Sequence, residues 1–248
     1  MSDSEFVYGY HVIEALLHAD VSRILKIYYL AGREDQRARK ITADARRHGV
    51  VLEALSRQQL TQLIGKRSGH QGIVAMITAA KSFDERLIRA MLAQPRQTAR
   101  TFLLLDQVQD PHNLGACMRS ANAFGVTAVI APKDQSAALS PVVRKIACGA
   151  AEATPFIQVT NLARTMAELA ESGVWMLGLC AEAEKSIANH GLTGDLALVV
   201  GNEGSGIRQR TRKSCDYLFS IPMSGTVSSL NVSASVAIGL YALSLRES

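Results

Sequence analysis

Hydrophobic and polar positions alternate along this chain on two different scales. Over residues 1–80 the periodic segments are short. Val12, Ile13, Leu16 and Leu17 recur at helical spacing within residues 10–18, and the β-branched and aromatic run ILKIYYL at 24–30 predicts a strand. Residues 32–49 predict a polar helix carrying Arg37, Arg39, Lys40, Arg46 and Arg47. A strand at 50–55, a helix at 57–64 and a strand at 72–77 follow. Residues 1–79 therefore predict a small α/β domain. Residues 80–100 predict a linker: a weakly amphipathic stretch gives way to the polar, Pro-interrupted QPRQTAR.

From residue 101 to 248 the pattern is larger and more regular. Apolar strand-like runs occur at 102–105, 128–131, 174–179, 196–200 and 217–221. Helical segments are predicted at 114–124, 141–151, 162–172 and 232–245. Strands alternating with helices imply an α/β domain with a mainly parallel sheet, whose ligand loops lie at the strand ends.

Composition narrows the function classes. A chain of 248 residues with 48% hydrophobic and 20% charged residues can bury a real core and is not a disordered chain. No run approaches the roughly 18 apolar residues of a membrane span. MSDSEFVYGY lacks a basic and apolar leader, so the expected location is cytoplasmic. Cys117, Cys148, Cys180 and Cys215 are far apart, with no CxxC and no His at ligand spacing, which predicts buried thiols and no metal site. The net charge of +5 says little until it is divided. Residues 1–80 carry 11 basic and 8 acidic side chains, 81–100 carry 5 and 2, and 101–248 carry 11 and 12. The positive excess lies in the first two fifths, where the basic helix reads either as a solvated face or as an RNA contact.

Three polar loops of the second domain exceed what packing requires. In DQVQDPHNLGACMRSANAFG (106–125) a strand ends, Asp110-Pro111 turns the chain and a helix begins. Asn113 and Arg119 would then lie on similar faces about 9 Å apart along the axis. In isolation Asn113 reads as a helix cap, Arg119 as a surface charge and His112 as a capping or surface group. VGNEGSGI (200–207) follows an apolar strand. Its glycines allow close backbone approach, yet it is neither a P-loop nor a GxGxxG fingerprint, and Glu203 suits a cationic or hydroxyl-bearing ligand rather than a phosphate. IPMSGTVSSLNVS (221–233) places Ser228, Ser229, Asn231 and Ser233 at the mouth of an apolar helix, where one cap would suffice. The small residues Ala234, Ser235, Ala237 and Gly239 beyond permit close packing, internal or between copies. Arg208, Arg210, Arg212 and Lys213 follow the second loop as a basic run that could meet an RNA backbone.

With YGYHVIEALL at the start, GRED at 32–35 and HQGIVA at 70–75, these three loops in register closely resemble the SpoU class of the SPOUT RNA methyltransferase superfamily. The resemblance covers nearly the whole chain; the linker matches least. It implies a C-terminal trefoil-knotted α/β methyltransferase domain, homodimeric through that domain, and a small L30e-like RNA-binding domain before it. It also implies transfer of a methyl group from S-adenosylmethionine to the ribose 2′-hydroxyl of a guanosine in the peptidyl-transferase region of 23S ribosomal RNA. The partner would be that RNA or a large-subunit assembly intermediate. Carried over residue by residue, the catalytic set is Asn113, Arg119, Glu203, Ser229 and Asn231, and Gly201, Ile221 and Leu230 hold the cofactor. Arg119, always protonated, suits a grip on the neighbouring phosphate better than a base. Glu203 would orient the ribose, or Asn113 and Arg119. The alternatives are a transfer RNA ribose methyltransferase of the same family, or an RNA-binding protein without catalysis. An oxidoreductase is disfavoured by the missing dinucleotide fingerprint. An aromatic content of 5% argues for recognition through phosphate, shape and ribose rather than base stacking.

Overall fold

The computed structural model describes residues 4–33, 35–65, 69–78, 83–95, 98–227 and 229–245. Ser228, Glu34 of the GRED segment and residues 80–82 and 96–97 of the expected linker lie outside the described residues. Mutual packing divides the chain into two units, Met1–Lys81 with Leu139–Ala153, and Ser82–Ala138 with Thr154–Ser248.

The first unit is a four-stranded sheet of β1 (Ser4–Tyr8), β2 (Ile24–Leu30), β3 (Leu52–Leu55) and β4 (Ile73–Thr78) in the order β1-β4-β2-β3. β4 runs antiparallel to both of its neighbours, and β2 and β3 are parallel. Helices α1 (Tyr10–Ala19) and α2 (Gln36–Arg47) bury Ile13, Leu16, Ile41 and Ala45 against Ile27, Ala75 and Ile77 of the sheet. Helix α3 (Arg57–Leu63), with a reciprocal Ser56–Gln59 capping box, buries Leu60 with Tyr8 and Val74. Strand β1 had no strong signal in the sequence: SEFVY is short and only its last two residues are buried, so its identity comes from pairing with β4.

Residues 139–153 complete this unit. The expected helix at 141–151 is broken into α6 (Pro141–Ile146) and α7 (Ala150–Ala153), because Cys148 (φ 52°) and Gly149 (φ 90°) turn the chain. At Gly149 a Cβ would fall 2.5 Å from the Ala15 Cβ and 2.9 Å from the His11 carbonyl oxygen, so only glycine lets this turn approach α1. Cys148 is exposed at that turn rather than buried as expected. Arg144 and Glu152, 3% and 1% exposed, form an ion pair. Arg23 donates to Glu152 at 2.6 Å, and Arg144 meets Glu5 at 3.3 Å.

The second unit is a six-stranded parallel sheet in the order β10-β8-β9-β5-β6-β7. Its strands are β5 (Thr101–Leu105), β6 (Ala128–Pro132), β7 (Phe156–Val159), β8 (Trp175–Leu179), β9 (Leu196–Val200) and β10 (Tyr217–Phe219). β5, β6 and β9 are buried throughout, which explains their uninterrupted apolar runs. β7, only FIQV, is too short for a pattern and was not foreseen. Helices α4 (Glu85–Ala93) and α8 (Leu162–Glu171) add Ile88, Met166 and Leu169 to the core against Phe102, Leu104 and Ile130. Residues 85–93, inside the stretch read as linker, are thus helical and packed. Helix α10 (Val232–Ser244) lies against β9 and α5 (Pro111–Ala123). A Cβ at Gly239 would meet Leu198 Cδ2 at 2.8 Å, so this small residue serves close internal packing. Among the described residues no helix is long and apolar enough to cross a membrane.

The buried charges of the first unit yield a prediction. Glu152→Gln leaves two arginines facing a neutral amide, and unfolding in urea should require about 3 kcal/mol less than for the parent chain. Replacing Arg144 and Glu152 together by methionine should recover much of that loss. A Glu152→Gln midpoint equal to the parent's would mean that the ion pairs do not hold these segments together.

Candidate active site

β5 and β9 are neighbours that are not consecutive in the chain. From β5 the chain moves outward through β6 and β7, then returns to β8 and β9 on the other side. This is the switch point at which ligands of open parallel sheets bind, outside the carboxyl ends of the strands. All three polar loops converge there.

The loop after β9 is a closed turn. Asn202 and Gly206 exchange backbone hydrogen bonds at 3.2 and 3.1 Å. Asn202 Oδ1 accepts from the backbone of Gly204 (3.0 Å) and Ser205 (2.7 Å). A Cβ on Gly201 would lie 1.9 Å from the Gly206 carbonyl carbon, so the turn can close only over glycine. Its exit is fastened to the sheet. The Arg208 backbone N–H donates to Asp106 Oδ2 at 3.1 Å, its Nε donates to Oδ1 at 2.8 Å, and Asp106 N–H donates to the Val200 carbonyl at 2.8 Å. Asp106, fully buried at the end of β5, thus clamps both ends of the loop.

Glu203 stands at the tip of this turn. Its Oε1 accepts from Asn113 Nδ2 and from Asn231 Nδ2, each at 2.5 Å, and Asn231 Nδ2 also reaches Asn113 Oδ1 at 3.1 Å. Asn113 is not the cap of its helix. Asp110 caps α5 by accepting from His112 N–H at 3.0 Å, Pro111 occupies the first turn, and Asn113 is buried with its amide turned to Glu203. Asn231 does cap α10, accepting from Ser233 N–H at 2.9 Å while its amide nitrogen serves the site. Glu203 Oε2 makes no hydrogen bond to a described residue, so one carboxylate oxygen stays available to a ligand. Burial, with the Glu203 charge added, pushes the Cys117 thiol up to about 12, and burial with Asp216 and Asp106 does the same for Cys215; both are inert packing thiols.

Two cavities meet at Glu203. One, of about 400 Å³, is lined by Leu179, Cys180, Val200, Gly201, Ile221, Ser229 and Leu230, with Glu182 and Arg212 3.7 Å apart on its wall. The other, of about 270 Å³, is lined by Gln107, Gln109, Asp110 and Asn113. Asn202, Glu203, Gly204 and Val232 border both. Seven of the eight expected site residues therefore gather here. Arg119 does not: it is exposed on α5, lines neither cavity, and pairs with no described residue; Glu203 orients Asn113 but not Arg119. The basic run disperses, with Arg208 on Asp106, Arg212 in the larger cavity and Arg210 in a separate hollow beside Asn161. Sequence reasoning missed Asp106, Asn202, Gln107 and Gln109, and it read Arg208 as facing RNA rather than Asp106. A signal for Asp106 existed, since it ends the otherwise apolar run TFLLLD, where a buried carboxylate needs a fixed cation.

The architecture defines an α/β ligand-binding protein with two adjoining sites at the carboxyl ends of a parallel sheet. The chain belongs to the SpoU rRNA methylase family: that family's model matches residues 100–241, and the model described as RNA 2′-O ribose methyltransferase substrate binding matches residues 6–83. It is 49% identical to a 23S rRNA (guanosine-2′-O-)-methyltransferase, RlmB, of Coxiella burnetii, across 97% of this chain and 95% of that protein. With the protein of the same name from Escherichia coli it shares 46% identity, across 96% and 97%. Among solved structures, the SpoU methyltransferase AviRb from Streptomyces viridochromogenes, in complex with AdoMet, shares the fold with a TM-score of 0.77. It is 22% identical and covers 97% of this chain and 89% of its own. The TrmH/SpoU tRNA modifying enzyme of A. aeolicus, 24% identical, aligns with a TM-score of 0.54 over 64% of this chain and 81% of its own.

The loop clamp can be tested directly. Asp106→Asn keeps the shape but removes the charge that holds Arg208, and amide exchange at Asn202 and Gly206 should quicken about tenfold or more while β7 is unchanged. Unaltered exchange in the loop would show that Asp106 does not tether it.

Proposed function

We propose that this chain transfers a methyl group from S-adenosylmethionine to the ribose 2′-hydroxyl of a guanosine in the peptidyl-transferase region of 23S ribosomal RNA. The observation that carries the reading is the Glu203 junction: a carboxylate fixed by two amides on the wall shared by two cavities, in a chain whose near full-length relatives bear that activity in their names. Those relatives also favour ribosomal over transfer RNA, since the tRNA modifying enzyme matches only part of this chain.

The larger cavity fits the cofactor. Its volume is within the roughly 300–1,000 Å³ of small-molecule pockets, its walls combine apolar side chains with exposed loop backbone, and the Gly201 cradle has no room for a Cβ. Gly201, Ile221 and Leu230 would hold it with apolar and backbone contacts, joined by Ser229. When bound, it supplies a methyl group on a positively charged sulfur. The ribose takes the smaller cavity, where Glu203 Oε2 accepts its hydroxyl hydrogen bond and Asn113 and Asn231 prevent the carboxylate from turning away. Direct contact of Glu203 with the sulfonium would favour the ground state, because that charge vanishes as the methyl leaves. The exposed Arg119 pairs with no described residue. It is suited to grip the phosphate beside the target ribose and to stabilise charge developing on the oxygen. His112 is exposed beside the α5 cap, where its backbone N–H donates to Asp110, and no role is proposed for its ring.

Four readings complete the proposal. Residues 1–79 are the L30e-like domain that binds substrate RNA, free or in an assembling large subunit; 80–100 connect it to the methyltransferase domain, 101–248. The C-terminal chain carries the trefoil knot of the superfamily. A homodimer forms through this domain, supported by the exposed apolar stripe of Ile238 and Tyr241 on α10 and Leu245 just beyond it, with the Tyr241 ring 6.2 Å from that of Phe124. The protein works in the cytoplasm.

Two measurements test this. Mapping ribose methylation across ribosomal RNA with and without the protein should show loss of a single guanosine methyl in the peptidyl-transferase region; an unchanged map would refute the activity. Arg119→Ala should lower turnover at saturating cofactor by about 100-fold or more, as for loss of an oxyanion donor, with calorimetric cofactor binding intact. Near-normal turnover would take Arg119 out of the mechanism.

A further inference from the structure

We propose that a third hollow, at the carboxyl ends of β6 and β7, is a subsite for the nucleotide next to the target ribose along the RNA strand, its phosphate held by Arg210 and Thr211. The assignment rests on the RNA methyltransferase reading above. It adds a substrate contact made by the catalytic unit itself, outside the two cavities that meet at Glu203.

The hollow measures about 250 Å³. Three segments build it: the turn after β6 with Asp134 and Gln135, the turn after β7 where α8 begins, and α9 (Gln209–Lys213) with Arg208 before it. It lies one amide pair from the ribose cavity, because Gln107, which lines that cavity, donates through Nε2 to Oε1 of Gln135, which lines the hollow. Pockets that enclose a whole small molecule start at roughly 300 Å³, so this volume suits one segment of a chain laid across it.

The donors around the hollow are unspent. Thr211 lines it while only 3% exposed, and its hydroxyl makes no hydrogen bond with a described residue. A hydroxyl kept from water without a partner is costly, and an acceptor entering the hollow removes that cost. Arg210 is exposed and makes no ion pair with a described residue. Arg208 is tied to the buried Asp106 through Nε and Nη2, which matches its charge and fixes its guanidinium, while Nη1 donates to no described residue. Leu162 and Ala163 add backbone N–H groups from the first turn of α8, which have no acceptor within the helix. The acid nearest that turn, Glu85, accepts from Thr160 N–H and is met by Arg164 at 2.7 Å.

Asp134 decides the class of ligand. It is exposed on the same lining, where it would repel a free phosphate. A nucleotide presents hydroxyl and amino donors beside its phosphate, so it uses a carboxylate and an arginine together.

The experiment uses the full chain and an RNA that it methylates. Arg210→Gln should raise the KM for RNA roughly fivefold, with kcat and calorimetric cofactor affinity unchanged, and make the slope of log affinity against log salt shallower by about 0.7, one phosphate contact on a single strand. Arg86→Gln, an equal loss of charge on α4 away from the three cavities, should leave both near the parent values. Thr211→Val, which keeps the buried shape, should raise the same KM about threefold at an unchanged thermal midpoint. Asp134→Asn should raise it too. Parent-like KM and salt slope in both the Arg210 and Thr211 variants, an Arg86 variant that matches Arg210→Gln, or a lower KM in Asp134→Asn would each overturn the subsite. A parent chain that methylates no RNA would instead overturn the reading beneath it.

Discussion

The catalytic unit depends on a single carboxylate receiving two neutral amides. Asn113 opens α5 and Asn231 opens α10, 90 and 28 residues from Glu203, and both donate to the same oxygen at 2.5 Å. Had an arginine filled either role, the site would hold an ion pair and no net charge. Amides fix the geometry and leave the charge, along with the lone pairs of Oε2, for whatever enters. The Cys117 thiol registers that retained charge from beneath, since Glu203 adds to the effect of burial in raising it.

Such a junction works only if the loop presenting Glu203 is stiff. A glycine-rich turn loses more conformational entropy on ordering than other sequences. Here two devices offset that cost. Asn202 folds the turn on itself through three hydrogen bonds from Gly204 and Ser205, and Asp106 bonds the exit residue Arg208 to the end of β5. Charge-assisted bonds to a buried carboxylate contribute about 1.5–3 kcal/mol each, whereas a solvent-exposed pair such as Arg89 with Glu168 is screened and contributes little. The buried carboxylate is therefore the element that transfers the rigidity of the sheet to the site.

These differences in range explain how much of the molecule was legible in its sequence. Strands buried on both faces, such as LALVV before the glycine loop, declared themselves, and so did the loops whose polarity exceeded any capping need. What could not be read was set by tertiary pairing. β1 and β7 are strands because neighbours complete them, and α6 stops because Gly149 must approach α1. Seven of the proposed site residues meet at the two cavities, yet Asn113 looked like a cap and is a buried donor, while Asp106 looked like a strand end and is a clamp. A residue's partner lies a hundred positions away in such cases, and spacing alone is silent about it.

The uneven charge that was visible from the start acquires a physical reason in the two units. The wall between the cavities is acidic through Glu203, and in the larger cavity Glu182 faces Arg212, so the two cavities carry no excess of positive charge. Charge attraction for RNA can then come from cations elsewhere, and the positive excess of the chain lies in its first two fifths. Contacts of that kind hold substrate and transition state equally, raising kcat/KM without touching the chemical step. In the proposed reading the site is left free to hold a hydroxyl beside a cationic methyl donor, a task for which a negative, rigid and partly unsatisfied carboxylate is suited and a basic cleft is not.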